Sequence, residues 1–150
     1  MTGPDPEEPI MRMAFINLPV ADKEVTKSFF TALGFSLNPQ FEDETTACVV
    51  LEENIIVLVH EPEKWKQFLH TDPAPKGSNE FMLALSCADR AECDALKAKA
   101  LANGGAEYAP AVDFGWMYGT SFLDPDGHIW ETSWMDVAAA TEVGGIPDAS

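Results

Sequence analysis

Nowhere does the 150-residue sequence stay apolar for the roughly 20 residues a membrane-spanning helix requires, and its opening stretch MTGPDPEEPI lacks the basic and apolar segments of a secretory signal. A soluble, cytoplasmic protein is expected. Basic residues are also scarce: 9 Lys and Arg stand against 25 Asp and Glu, for a net charge of −16. Such a field repels phosphate backbones and anionic lipid heads, which argues against nucleic acid and membranes as partners. It attracts cations, although an acidic surface also serves solubility alone. The three cysteines, Cys48, Cys87 and Cys93, form no CxxC pair and no zinc pattern. Cys48 and Cys87 lie in apolar runs and read as buried free thiols. Neither G-x-G-x-x-G nor G-x-x-x-x-G-K-S/T is present, which speaks against a βαβ nucleotide fold.

What is present suits one domain with a sizeable core: 46% of residues are hydrophobic and 23% charged. Residues 1–11 read as a flexible leader, 12–136 as the folded domain and 137–150 as a tail without sustained pattern. Within the domain one order of signals occurs twice. In the first module, about 12–61, a strand from Met13 to Val20 precedes Asp22, a candidate N-cap for a helix from Lys23 to about Leu33. Val25, Phe29, Phe30 and Leu33 form its apolar face. Strands over Phe35–Phe41, Thr45–Leu51 and Ile55–His60 follow, the last two as a hairpin. In the second module, about 80–136, a strand from Glu80 to Cys87 precedes Asp89. A helix from Arg90 to about Ala102, with Cys93, Leu96, Ala100 and Leu101 on one face, leads to strands near Glu107–Val112, Trp116–Leu123 and His128–Met135. Between the modules, residues 62–79 read as a short amphipathic helix carrying Trp65, Phe68 and Leu69, then a linker with Pro73, Pro75 and Gly77. The fold class is therefore α+β, built from two β-α-β-β-β modules as a curved mixed sheet around a cleft.

At this level the sequence resembles the vicinal oxygen chelate superfamily, which holds glyoxalase I, extradiol dioxygenases, and fosfomycin- and bleomycin-resistance proteins. The stretches FINLPVAD at Phe15–Asp22, SFFTALGF at Ser28–Phe35, LALS at Leu83–Ser86 and SFLDPDGHIWE at Ser121–Glu131 carry the resemblance. In the metal-using members, ligands stand on inner faces of the first and last strands of each module. The resemblance places those positions near Phe15, Leu58, Met82 and Glu131. Only Glu131 has a ligand's chemistry, so no cofactor is expected. The alternative is a divalent metal held by His60, which shares a strand face with Leu58, together with Glu131.

Three readings of Glu131 stand side by side. A carboxylate facing an apolar cavity acts as a general acid or base with a raised pKa, receives a cationic group of a ligand, or accepts a buried hydrogen bond. Trp116 and Tyr118, set among glycines in DFGWMYGT at Asp113–Thr120, are candidate ligand walls. Trp130 and Trp134 share the strand face opposite Glu131 and are expected beneath the helices. His128, of opposite parity to Glu131, is expected to be structural or solvent-facing, and His70 exposed. These signs lead to two functional expectations. The first is a metal-free small-molecule binding protein of the bleomycin-resistance type, with an aromatic or cationic ligand lined by Phe15, Leu58, His60, Met82, Trp116, Tyr118 and Glu131. The second is a metal-dependent lyase, isomerase or dioxygenase. A homodimer is expected in either case, since it would cover exposed strand edges.

Overall fold

The computed structural model describes residues 11–142. The expected leader, apart from Met11, and the last eight residues of the expected tail lie outside that range. The first module runs β1 (Ala14–Pro19), α1 (Lys23–Ala32), β2 (Ser36–Leu37), β3 (Thr46–Glu52) and β4 (Ile55–His60). Next comes α2 (Pro62–Phe68). The second module runs β5 (Leu83–Ser86), α3 (Arg90–Ala102), β6 (Ala106–Glu107), β7 (Val112–Asp113), β8 (Met117–Leu123) and β9 (Ile129–Met135), followed by α4 (Val137–Glu142).

Both long helices begin where their aspartates predict. The Asp22 carboxylate accepts from the Glu24 N–H at 2.9 Å and Asp89 from the Glu92 N–H at 2.8 Å, each satisfying a donor the helix leaves free. In each module the first strand pairs parallel with the last, β1 with β4 and β5 with β9, and the remaining pairs are antiparallel. The strand orders are β1-β4-β3-β2 and β5-β9-β8-β6, with β7 also on β8.

Three expected elements are shorter or different. The strand over Phe35–Phe41 stops at Leu37, because Asn38 caps a 3-10 turn over Pro39–Phe41 by accepting from the Gln40 N–H at 3.0 Å. The strand near Glu107–Val112 is split into β6 and β7 around Pro110, which has no N–H to give the ladder. Residues 137–142 of the expected tail form α4, and its Ala140 is fully buried.

As expected, the chain is α+β and built from two β-α-β-β-β modules, each with its own mixed sheet. No ladder joins them among the described residues. Instead their helix-covered sides share one core. Phe29 and Phe30 of α1 reach across to the second sheet, where Phe30 meets Trp130 edge-on at 5.0 Å and Phe29 lies 6.1 Å from Phe122. Full burial of such rings contributes about 1.5–3 kcal/mol each. Gly105 allows the close approach: a Cβ there would stand 2.7 Å from the Leu123 carbonyl oxygen and 3.1 Å from Phe29. Since the modules join through their helical sides, the opposite faces of both sheets lie away from that core, that of the first sheet covered by α2 at its His60 end.

The segment DPDGH then acquires a structural task. Gly127, at φ +87°, closes the turn. The buried Asp124 carboxylate accepts from the Asp126 and His128 N–H groups and from the Trp130 indole. Outward from the turn, Asp126 Oδ1 accepts from the Ala21 N–H and His128 Nε2 donates to the Pro19 carbonyl, both at 2.8 Å. These bonds fasten the second module to the end of β1. Of the two roles expected for His128, structural or solvent-facing, the bond to Pro19 gives it the structural one.

Candidate functional site

Strand alternation assigns side chains to the open faces. On the first sheet Phe15 stands beside Ile56, Asn17 beside Leu58, Leu58 beside Cys48, and His60 beside Thr46. On the second, Glu131 lies between Ala84 and Ser121, and Met82 continues the alternation ahead of β5. Phe15 is 52% exposed and Met82 44% exposed, large values for apolar side chains on a sheet. Leu58 is half-buried.

His60, by contrast, is closed off. The ring is 2% exposed, with Phe68 of α2 at 5.1 Å and Trp65 at 6.3 Å. Nε2 bonds Asn17 Oδ1 and Nδ1 bonds the Thr46 hydroxyl, each at 2.8 Å. A carbonyl-type oxygen only accepts, so Nε2 carries the proton and Nδ1 accepts from Thr46. Burial, followed by the charge of Lys64, lowers the imidazole pKa below its ordinary value and favours this neutral form.

Glu131 is the opposite case. It is half-buried, its register neighbours Ala84 and Ser121 are small, and the Ser121 hydroxyl turns away to the Ala109 carbonyl. Among the described residues no hydrogen bond or ion pair engages its carboxylate. A half-buried carboxylate between small neighbours, with no partner among the described residues, is able to receive a donor or cation from outside the chain.

A divalent ion finds little to hold it here. Phe15, Leu58 and Met82 offer no oxygen or nitrogen donor, both His60 nitrogens are engaged, and His60 and Glu131 stand on different sheets. No group of three or more His, Cys, Asp or Glu side chains comes together among the described residues. Each metal ligand must lie at a fixed distance from the same ion. The described residues of one chain therefore do not fit the chelate.

The two aromatic candidates separate. Tyr118 turns to the helix side, where its hydroxyl donates to Asp94 of α3 at 2.5 Å and Arg90 lies 5.1 Å above its ring. Tyr118, a candidate ligand wall, thus stands apart from the other candidates: β8 alternation puts it on the same side as Thr120 and Phe122. Trp134 joins it there with Arg90 at 5.2 Å, and Trp130 is fully buried, as expected. Trp116 lies in the loop before β8, stacked on Phe114 at 6.1 Å. That loop is pinned by Arg90, which is paired with Asp113 and donates to the Gly115 carbonyl.

The sequence reading missed a cavity of about 610 Å³ lined by Asn17, Trp65 and His128 among others, but by none of the seven predicted ligand residues. No periodic signal announces it, because its walls come from a strand end, α2, the linker and a turn.

The match to known proteins agrees with this geometry. Residues 12–132 match the family described as the Glyoxalase/Bleomycin resistance protein/Dioxygenase superfamily. Among solved structures, a hypothetical protein from S. aureus is 26% identical with a TM-score of 0.72, over 84% of this chain and 95% of that one. A glyoxalase/bleomycin resistance protein/dioxygenase family enzyme from Burkholderia phytofirmans is 15% identical with a TM-score of 0.70, over 83% and 99%. Lactoylglutathione lyase from Agrobacterium tumefaciens has the same fold at 15% identity, with a TM-score of 0.61 over 84% and 95%. No curated protein matches the sequence. Among the described residues no helix is long and apolar enough to cross a membrane.

Proposed function

The chain belongs to the glyoxalase/bleomycin resistance protein/dioxygenase superfamily, and from that premise we propose that it binds a small aromatic cation on the open faces of its sheets, without a resident metal ion. The unpartnered carboxylate of Glu131 carries this reading. A cation placed there gains a charge-assisted contact that none of the described residues supplies, and the net charge of −16 draws such a ligand in. Phe15, Leu58 and Met82 give the apolar surface for the rest of the molecule, and Trp116 adds an aromatic wall at the margin. His60 stands on the same face, covered by α2, where it holds Asn17 and Thr46 in place and does not coordinate the ligand.

The partner is a second copy of the chain. A single chain leaves the two open faces pointing away from the shared core, so a pocket that encloses a ligand needs another surface set against them. A homodimer with a two-fold axis brings the Phe15 face of one chain against the Glu131 face of the other and buries the exposed side chains of both.

Sedimentation velocity combined with metal analysis of the purified protein tests this reading. A dimer with far less than one first-row metal per chain is expected, and Met82→Lys shifts the population to monomer. A monomer at all concentrations, or one metal per chain that is lost in both His60→Gln and Glu131→Gln, overturns it. The second result would point to a lyase, isomerase or dioxygenase.

A further inference from the structure

Thr46, His60 and Asn17 stand on β3, β4 and β1 and form one chain of hydrogen bonds across the face of the first sheet that lies away from the core. Thr46 and His60 are buried, whereas Asn17 is exposed. Asn17 follows Phe15 by two residues, so it shares that face about 7 Å along β1, and it pairs in register with Leu58. It also lines the cavity of about 610 Å³, which leaves room for a ligand beyond it.

The direction of the chain follows from its buried end. The Thr46 hydroxyl has no partner among the described residues other than His60 Nδ1, and a buried O–H without an acceptor is penalised. Thr46 therefore donates to Nδ1, which places the ring proton on Nε2. Nε2 in turn donates to Oδ1 of Asn17, so the amide nitrogen faces away from the ring. Turning the amide over would set its N–H groups against the Nε2 proton. The ring could relieve that clash only by moving its proton to Nδ1, which would strand the Thr46 hydrogen. Asn17 Nδ2 makes one long bond, 3.4 Å, to the Phe15 carbonyl, and its second N–H has no partner among the described residues.

We infer that Asn17 is a specificity-determining donor of the open-face site, and that the ligand is an aromatic cation which also carries a carbonyl acceptor. This rests on the reading of Glu131 as the carboxylate that receives the cation. A donor held in one orientation before binding favours an acceptor over a group of the same shape that cannot accept, because hydrocarbon set against the amide removes its water without replacing the bond. Phe15 and Leu58, the neighbours of Asn17, supply the apolar contact for the ring. Thr46 and His60 are positioning residues: they hold the amide the right way round and do not touch the ligand.

Calorimetric titration with two matched pairs of compounds tests this. Phenacyltrimethylammonium is set against 2-phenylallyltrimethylammonium, and 4-acetylbenzyltrimethylammonium against its 4-isopropenyl counterpart. Within each pair a C=O replaces a C=CH2 of the same shape. In the wild-type protein at least one ketone binds about threefold or more tightly than its alkene, the effect of one net hydrogen bond. Asn17→Leu brings that ratio to one. Asn17→Asp, which accepts from His60 but offers no donor, brings it to one or below. Thr46→Val lowers the ratio and Thr46→Ser keeps it. The ratio is the readout because a loss of fold, or of the cation's contact, weakens both members of a pair alike. Nitrogen NMR shifts of the His60 ring read the relay without any ligand, and a proton on Nε2 is expected. A ratio of one for both pairs in the wild-type protein, or a ratio unmoved in Asn17→Leu, overturns the donor. A ring proton on Nδ1, or a ratio unmoved in Thr46→Val, overturns the relay that orients it. Where the donor fails but the alkenes bind and weaken in Glu131→Gln, the carboxylate reading survives. Where none of the four compounds binds, that reading falls and the donor with it.

Discussion

In the first module the cross-strand pairs facing α1 are Ala47 beside Val59 and Val49 beside Val57, all buried and apolar. In the second, the pairs facing α3 are Phe122 beside Trp130 and Thr120 beside Thr132. Those two threonine hydroxyls bond each other, and both reach the Cys93 carbonyl. The open faces differ in the reverse sense. The first module satisfies its polar residues through the Thr46–His60–Asn17 chain, whereas no described residue of the second bonds the Glu131 carboxylate. A duplicated plan thus distributes its polar groups unequally: the second module places hydrogen-bonded ones in its core and a half-buried carboxylate on the opposite face.

The largest test of this contrast concerns the ring that joins the two cores. Trp130→Ala removes the edge contact with Phe30 and the indole bond to Asp124, and a loss of about 3–5 kcal/mol is expected in urea unfolding. Because Phe30 and Trp130 belong to one core, unfolding remains a single transition. Two separate transitions would show that the modules are stable independently.

Next in size is the threonine pair. Thr132→Val removes the hydroxyl–hydroxyl bond and leaves Thr120 only the Cys93 carbonyl, at an expected cost of about 0.5–1.5 kcal/mol. Changing Thr120 to Val as well makes this core resemble the first module's and recovers most of that loss. Additive losses would show that the hydroxyls do not act as a pair.

A smaller effect attaches to His60. Its pKa is lowered in the folded chain, so between that value and the ordinary 6.5 the unfolded chain holds the extra proton. Stability therefore falls as the pH drops below about 6.5 and levels off once the folded imidazole also protonates. His60→Gln shifts the midpoint of unfolding and flattens this dependence. An unchanged slope would assign the acid sensitivity to other groups.

Much of the fold was legible because local chemistry decided it. Asp22 and Asp89 cap their helices, and α3 and β4 run where periodicity put them. Alternation along β9 correctly separated Trp130 and Trp134 from Glu131. What failed depended on positions distant in sequence or on one residue's backbone. Pro110 divided a strand, and Asn38 and Pro39 replaced one with a turn. That the modules meet through their helical sides follows from Phe29, Phe30, Phe122 and Trp130 packing together, which no local pattern encodes. His60 shows the same limit: its place on the strand face was readable, but the partners that use up both its nitrogens were not.

Glu131→Gln is expected to change stability by less than about 0.5 kcal/mol, as for other substitutions away from core contacts. Its consequence lies in affinity, and a calorimetric titration of the wild-type protein and this variant with benzyltrimethylammonium is the most direct test of the open-face site. The wild-type protein should bind the cation, with at least tenfold weaker binding in the variant, a difference of about 1.4 kcal/mol. Equal affinity in the two proteins, or no binding by either, would contradict the assignment of Glu131 as the ligand's carboxylate.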